Sequence, residues 1–449
     1  MKPSRYNLFI PTEHKGQYIL YNTLGGATYM VADEARTAIQ NFVEGQISDD
    51  YIQDLKKEGI LVEDYVDERA IFKAQRDQTK YCSSSAAFTV FTTYRCNAAC
   101  VSCYERYMWG DATPDQSMDE DISNRVVRFI KNTVVENSYS EFSVILNGGE
   151  PTLNIDWDLW ILKTIDSWAR EKGCHFRAGM LTNGTLLTKE LIDEFMRYDT
   201  TLQITLEGPP EIHDQKRVYE DNSGTYDDIV RTLELLKQSK QNVNIRVNVD
   251  KENYPHMERC LDELRERIGE GWFVRFFRTI PGAKVKDSSY ESCFEVEQLA
   301  PRLPKLWNLA TERGFNVVLR PLRNYAFCDY SAEHSYSIDP LGDVYKCEGL
   351  VGLQDHRIGT LDETGRPSEK TYAYYDWMSM DPFAMQGCSE CVYLPMCGGG
   401  GCSAIAYDKY GTYHRAACPL ERYTLAEQIR FIVKKTYPEK LKGPDKHDE

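Results

Sequence analysis

The sequence predicts an α/β protein whose largest part is a parallel sheet wrapped by helices, and three observations carry that expectation. Strand-like apolar runs recur six times, at Phe88–Tyr94, Phe142–Asn147, Phe176–Leu181, Leu202–Leu206, Asn244–Val249 and Trp272–Thr279. Most are separated by stretches of helical periodicity such as Asp119–Val135 and Ile155–Arg170, and such alternation builds parallel strands with crossover helices. The residues with chemistry in them follow the strand runs directly, where α/β sheets carry their functional groups. Six units describe a partial (β/α)6 barrel over residues 81–320, preceded by a small domain at 1–80 and followed by a cysteine-rich segment at 321–449.

The chain's 449 residues fit about three domains. With 53 basic and 69 acidic side chains the net charge is -16. A surface of that sign repels phosphate and argues against nucleic-acid binding. The start, Met1-Lys2-Pro3-Ser4-Arg5-Tyr6, has no apolar core of a signal peptide, and no run approaches the roughly eighteen apolar residues of a membrane span. The expectation is a soluble, cytoplasmic protein without a membrane partner. Fourteen cysteines in such a chain favour metal ligation over disulfides.

Residues 1–80 read as strands near Tyr6–Phe9, Tyr18–Asn22 and Thr28–Val31, with Gly25-Gly26 as a turn. Amphipathic helices follow near Asp33–Val43 and Asp49–Glu58, then the apolar run Ile60-Leu61-Val62. This is the outline of a winged-helix-like module. Asp64 to Lys80 is highly charged and reads as a linker or a bridging helix.

The first barrel run ends in Cys96-Asn97-Ala98-Ala99-Cys100-Val101-Ser102-Cys103, three thiols spaced by three and then two residues. Three thiolates hold three corners of a four-iron, four-sulfur cube and leave one iron open. A zinc site usually takes four Cys or His in paired short spacings, and no His follows closely. The stretch resembles the signature of the radical S-adenosylmethionine (SAM) superfamily. The resemblance implies that SAM chelates the open iron of a [4Fe-4S] cluster held by Cys96, Cys100 and Cys103, and that an electron from the cluster yields a 5′-deoxyadenosyl radical. It also implies a reducing partner such as flavodoxin or ferredoxin.

The following strand ends carry further motifs. Asn147-Gly148-Gly149-Glu150-Pro151 combines two glycines, which permit close backbone approach, with a carboxylate able to bond an ammonium. It resembles the family's Gly-Gly-Glu-Pro segment, which implies SAM contacts from Gly148, Gly149 and Glu150. Thr182-Asn183-Gly184 ends the third run, with Asn183 as a candidate SAM contact. The fourth ends in Thr205-Leu206-Glu207-Gly208-Pro209, followed by His213-Asp214 and Arg217. This is similar to a Ser-Leu-Asp-Gly-Pro…His-Asp…Arg pattern in the peptide- and sulfatase-maturing branch, in which Thr205 keeps the hydroxyl that contacts SAM. Glu207 stands where Asp is usual, and its role is left open. Arg217 pairs with the SAM carboxylate or forms a surface ion pair, and Asn248 contacts the nucleoside or caps its strand.

Beyond residue 321 the cysteines are Cys328, Cys347, Cys388, Cys391, Cys397, Cys402 and Cys418, with a hairpin expected at Ser335–Asp339 and Asp343–Cys347. The spacing resembles the seven-cysteine SPASM extension, which carries auxiliary clusters, although Cys397 and Cys402 are separated by four glycines where the family usually has three residues. The resemblance implies two auxiliary [4Fe-4S] clusters. Cys388, Cys391, Cys397 and Cys418 would close one; Cys328, Cys347 and Cys402 would supply three corners of the other. No cysteine lies in Arg320-Pro321-Leu322-Arg323, so the second keeps an open iron or takes Cys293 or Cys260. Cys82, Cys174, Cys260 and Cys293 are otherwise expected as small buried residues. A last helix, Leu420 to Tyr437, is expected to pack on the barrel, and the polar tail from Gly443 to be disordered.

The leading domain looks like the recognition module of enzymes that modify ribosomally made peptides, where a leader adds as a strand to a sheet edge. Together the resemblances imply a radical SAM peptide maturase, forming thioether links from a cysteine sulfur to a carbon of a precursor peptide held by its leader. Carbon–carbon cross-linking, epimerisation, formylglycine formation in sulfatases, and a multi-cluster electron carrier or sensor are the alternatives.

Overall fold

The computed structural model describes residues 1–43, 45, 47–82, 84–105, 116–279, 291–319, 328–368, 370–418 and 420–436. The segment 320–323, residue 437 and the tail from 443 lie outside them. The chain forms two compact units, one of Met1–Tyr81, Leu319–Cys328 and Asp381–Glu449, the other of Cys82–Val318 and Asp329–Met380.

In the first unit, β1 (Lys2–Pro3), β2 (Asn7–Pro11), β3 (Gln17–Asn22), β4 (Thr28–Ala32) and β5 (Leu61–Val62) form an antiparallel β2–β3–β4 sheet and a β1–β5 ribbon. Successive residues of β3 point to opposite faces. Leu20 packs with Ile39, Ile52 and Leu55 of the helices Asp33–Gln40 and Asp49–Lys57. Ile19 and Tyr21 pack with Leu425, Ile429 and Val433 of the final helix, Leu420–Thr436, and with Met396. That helix was expected on the barrel; the apolar second face of the small sheet holds it instead. The charged stretch after Asp64 is a helix over Glu68–Tyr81, with Phe72 buried and its ring 5.9 Å from that of Phe383. Glu68 accepts hydrogen bonds from Ser4 Oγ and from the Arg5 backbone N–H, the latter at 2.9 Å.

The second unit holds β6 (Ser85–Thr93), β7 (Glu141–Gly148), β8 (His175–Thr182), β9 (Thr201–Thr205), β10 (Val243–Val249), β11 (Phe273–Arg278), β12 (Asn316–Val317), β13 (Ser335–Ile338), β14 (Asp343–Tyr345) and β15 (Arg357–Thr360). Among the described residues they form one sheet in the order β12-β11-β10-β9-β8-β7-β6-β13-β14-β15. β6 to β11 are the six expected parallel strands, with helices such as Glu120–Glu136 and Ile155–Lys172 between them. The expected hairpin is β13–β14, and β13 also pairs parallel with β6, setting Ser335 opposite Ala87. No local pattern announces a pairing across so long a separation. Cys260 and Cys293 are buried, Cys174 is half-buried, and Cys82 is exposed, against the expectation of burial. Among the described residues no helix is long and apolar enough to cross a membrane.

Candidate functional site

The loop from Cys96 to Cys103 leaves the carboxyl end of β6 and is held from both sides. The Ala99 and Val101 amides donate to Val218 O (2.7 Å) and Lys216 O (2.9 Å), in the stretch that carries Arg217. At the loop's root the Gly149 amide donates to Thr93 O (3.0 Å) and the Glu150 amide to Arg95 O (2.8 Å). A Cβ at Gly148 would lie 2.3 Å from Thr93 O, and one at Gly149 2.3 Å from Arg95 O and 2.5 Å from Tyr94 O. The two glycines were expected to admit a ligand. The close approach they permit here is between two strand ends.

Glu150 is fully buried and ties three strand ends together. Its Oε1 accepts from Thr152 Oγ1 (2.6 Å), Thr152 N (3.2 Å) and Thr182 Oγ1 (2.7 Å), and its Oε2 from the Asn183 amide (2.7 Å). Burial raises its pKa, and those donors oppose the rise. A carboxylate has about four acceptor sites, so Oε2 keeps capacity for a further donor. Asn183 Nδ2 donates to Asn97 Oδ1 (2.9 Å), while Asn97 Nδ2 donates to Thr185 Oγ1 (2.9 Å). Asn97, Thr182 and Thr185 were not singled out from sequence. Their only signal was position, inside the cysteine loop and beside Asn183.

The other side of the loop rests on a partly buried ionic network. Arg217 Nη1 donates to Cys100 Sγ at 3.8 Å, and its Nε donates to Glu207 Oε1 at 3.1 Å. Burial works against the Arg217 charge, but Cys100, Glu207 and Cys103 outweigh it and hold the guanidinium above its ordinary pKa. Glu207 Oε1 also accepts Asn248 Nδ2 (2.9 Å) and Oε2 the Asn248 amide (3.2 Å). The longer arm of Glu207 thus spans from Arg217 to the end of β10. Arg217, partly buried, pairs with buried Glu207, and Asn248 is occupied by Glu207 and by Arg246 Nε, which donates to its Oδ1 (2.9 Å). Thr205 lies half-buried at the end of β9. Behind them buried His213 accepts the Glu207 amide at Nδ1 (3.1 Å), which assigns its proton to Nε2, facing Thr225 Oγ1 at 3.0 Å. Burial, aided by Arg217, pushes its pKa down to about 3.

The donor set suits a cluster. Cys100 and Cys103 lie close enough to Cys96 to act on it electrostatically, and burial raises the Cys96 thiol. Cys96 Sγ accepts the Ala98 amide (3.4 Å), a donor that favours thiolate sulfur, and Arg217 Nη1 faces Cys100. Among the described residues no three His, Cys, Asp or Glu side chains converge as one ion requires.

The later cysteines divide between the units. Cys347 belongs to the unit of the large sheet, after β14; Cys328, Cys388, Cys391, Cys397, Cys402 and Cys418 belong to the other. Within that unit Cys391 and Cys418 act electrostatically on Cys388, and Arg422 bonds Cys391. Gly398, Gly399, Gly400 and Gly401 between Cys397 and Cys402 all have positive φ, from 75 to 79°. Four consecutive residues in that region form a left-handed turn that side chains disfavour, and a Cβ at Gly399 would lie 2.4 Å from Pro382. In the other unit, the groups acting on Cys293 are Asp250, Arg278, Lys216 and Lys251, and those on Cys260 are Glu263, Arg259 and Glu207.

Residues 90–264 match the model of the Radical SAM superfamily. The serine-type anaerobic sulfatase-maturating enzyme of Klebsiella aerogenes is 25% identical over 327 residues, covering 68% of this chain and 76% of that enzyme. The solved structure of native anSMEcpe with bound AdoMet and Kp18Cys peptide superposes with a TM-score of 0.58 at 17% identity, over 78% of this chain and 97% of that one. Streptococcus suis SuiB superposes with a TM-score of 0.53 at 14% identity, over 94% of this chain and 99% of SuiB. The two structures share the fold. The family match spans the cysteine loop and every strand end built around it from β6 to β10, and the chain therefore carries a radical SAM domain over residues 90–264.

Proposed function

We propose that the protein is a radical SAM peptide maturase that forms thioether cross-links in a ribosomally made precursor. The observation that carries this reading is the three-thiol loop held between the ends of β7 and β8 and the Arg217 network, inside a domain that matches the family. In this reading Cys96, Cys100 and Cys103 hold the cluster, while Gly148, Gly149, Glu150, Asn183, Thr205, Arg217 and Asn248 receive SAM. When bound, the cluster and SAM supply one-electron chemistry that ends in removal of a hydrogen atom from the substrate.

The chain's own residues have separable tasks. Glu150 Oε2 takes an ammonium while its other bonds keep the turn at Asn183 in place. Arg217, charged and faced by Cys100 and Glu207, offers its guanidinium to a carboxylate. Residues 1–80 would receive the leader, 81–320 hold the radical chemistry, and 321–449 carry auxiliary clusters: Cys388, Cys391, Cys397 and Cys418 around one, Cys328, Cys347 and Cys402 around the other. An open iron on the second would bind the substrate cysteine as thiolate. Flavodoxin or ferredoxin would supply electrons. The leader site would lie between β4, an end strand of its sheet, and the helix Asp49–Lys57, in a cleft lined by Tyr29, Tyr51, Asp54, Leu55, Lys57 and Glu58. A strand added there gains backbone hydrogen bonds, and the acidic lining suits a basic leader side chain.

Two measurements test this. Anaerobically reconstituted protein given SAM and dithionite should release 5′-deoxyadenosine, and co-expressed precursor should lose two hydrogens per link with its cysteine blocked to alkylation. Release without a sulfur–carbon link in the product would retain the radical chemistry and remove the thioether. A second reading, oxidation of a sulfatase residue to formylglycine, is favoured by the Klebsiella relative. A co-expressed sulfatase that gains an aldehyde would establish it.

A further inference from the structure

The final helix carries an arginine where helices disfavour one. Lys434 and Lys435 lie in its last turn, where the carbonyl end attracts cations, whereas Arg422 lies in its first turn, where the amide end repels them. The groups that hold Arg422 there are thiols. Burial works against its charge, but Cys391 and Cys418 outweigh it, and the guanidinium bonds Cys391, so its pKa stands above the ordinary value. The same charge acts on Cys388, whose sulfur also takes the Gly400 amide. Three of the four thiols assigned to one auxiliary cluster therefore meet one arginine. The backbone around them is tied in place: the Cys391 amide donates to Cys388 O (3.0 Å), the Cys397 amide to Tyr393 O (2.8 Å), and the Ala417 amide, next to Cys418, to Gly400 O (2.9 Å). The Arg422 guanidinium carbon lies 4.8 Å from the Tyr393 ring centroid, and stacking of that kind orients the planar fork. Glu390, which stands between Cys388 and Cys391 in sequence, is paired with Arg5 and, at 2.9 Å, with Arg69. Its charge is matched by those two.

A cube on four thiolates is an anion that gains one more negative charge when reduced, and its potential follows the net charge and the hydrogen bonds at its sulfurs. A cation beside three of those sulfurs favours the reduced form. We propose that Arg422 sets the reduction potential of the cluster held by Cys388, Cys391, Cys397 and Cys418, making it easier to reduce than its four thiolates alone would. Arg422 is then a positioning residue that acts through the cluster. This role rests on the reading that those four cysteines share one auxiliary cluster.

The test uses the full chain with Cys96, Cys100, Cys103, Cys328 and Cys347 replaced by alanine, so that only this cluster loads on anaerobic reconstitution with iron and sulfide. Iron is assayed, and the midpoint potential is taken from the electron paramagnetic resonance signal in a dye-mediated redox titration. The background should hold about four irons per chain. Adding R422Q should lower the reduction equilibrium about tenfold, as loss of a charge-assisted bond implies, which is a fall of about 59 mV in the midpoint for one electron. R422K keeps the charge but loses the fork and the stacking, and should lower the equilibrium by about threefold. An R422Q that holds its iron with an unmoved midpoint overturns the proposal, since a purely structural arginine would give that result. If R422Q takes up less iron, R422K decides, and an unmoved midpoint there overturns it. A background that binds no four-iron cluster overturns the cluster assignment and the role of Arg422 with it, a failure read from the iron assay before any potential is measured.

Discussion

Replacing Gly149 with alanine tests whether the cysteine loop is hung from the end of β7. The new Cβ would sit 2.3 Å from Arg95 O, 2.5 Å from Tyr94 O and 2.6 Å from Arg95 C. All three are backbone atoms, so no side chain can rotate away and the two strand ends must part. That breaks the bonds from the Gly149 amide to Thr93 O and from the Glu150 amide to Arg95 O. At about 1 kcal/mol for each bond and about 1–3 kcal/mol for the crowding, the loss is about 3–5 kcal/mol. All seven tryptophans lie within the sequence of the second unit, so tryptophan fluorescence follows that unit's melting. At about 2–3 °C per kcal/mol for this size, the midpoint should fall by about 6–15 °C, and iron uptake by the reconstituted variant should drop. Gly173→Ala is the control: with φ of 70° and nothing within 4 Å of its Cβ, it costs only the backbone strain of about 1–2 kcal/mol. A Gly149→Ala variant that melts with wild type and fills with iron would refute the contact.

Cys96→Ala, Cys100→Ala or Cys103→Ala should each lower bound iron by about four per chain and abolish deoxyadenosine release, as iron assay and chromatography will show. His213 is neutral when folded because its pKa is pushed down to about 3, whereas an unfolded histidine titrates near 6.5. The unfolded chain therefore binds more protons between those values, and stability falls with pH below about 6.5, by about 2 kcal/mol at pH 5. In His213→Asn, denaturation midpoints across pH 5–7 should lose that component of the slope. Gly399→Ala meets Pro382 at 2.4 Å with a φ of 79°. It should reduce total iron yet leave the SAM-dependent cluster signal in electron paramagnetic resonance. Tyr51 is exposed and lines the cleft beside β4, so Tyr51→Ala should change the melting point little and weaken binding of a fluorescent leader peptide.

The parts of this architecture set by local pattern were legible in the sequence. All six parallel strands lie where the apolar runs put them, because a strand buried under helices needs such a run whatever its neighbours. Loop chemistry was legible as identity without geometry. The cysteine spacing and the Gly148-Gly149-Glu150 motif marked the site, but not that the glycines serve contact between strand ends or that Glu150 ties β7 to β8. Glu207 was the hardest to read. Its extra methylene acquires meaning only when Arg217 and Asn248, ten and forty-one positions later, arrive at the same carboxylate. Pairings across hundreds of residues left no trace either, and for the same reason the final helix was assigned to the wrong partner. An amphipathic face declares that it must be covered, not by what.

The strand that launches the cysteine loop is flanked by β7 on one side and by β13 on the other. Some 240 residues separate Thr93 from Ser335, an interval of roughly 12–50 s at ribosomal rates of about 5–20 residues per second. Throughout that time a nascent chain carries a strand with one bare margin and three oxidisable thiols at its tip. Metal delivery to this protein therefore has a natural checkpoint at the emergence of β13, and a ribosome paused before it should expose thiols that alkylating reagents reach and that the finished chain protects.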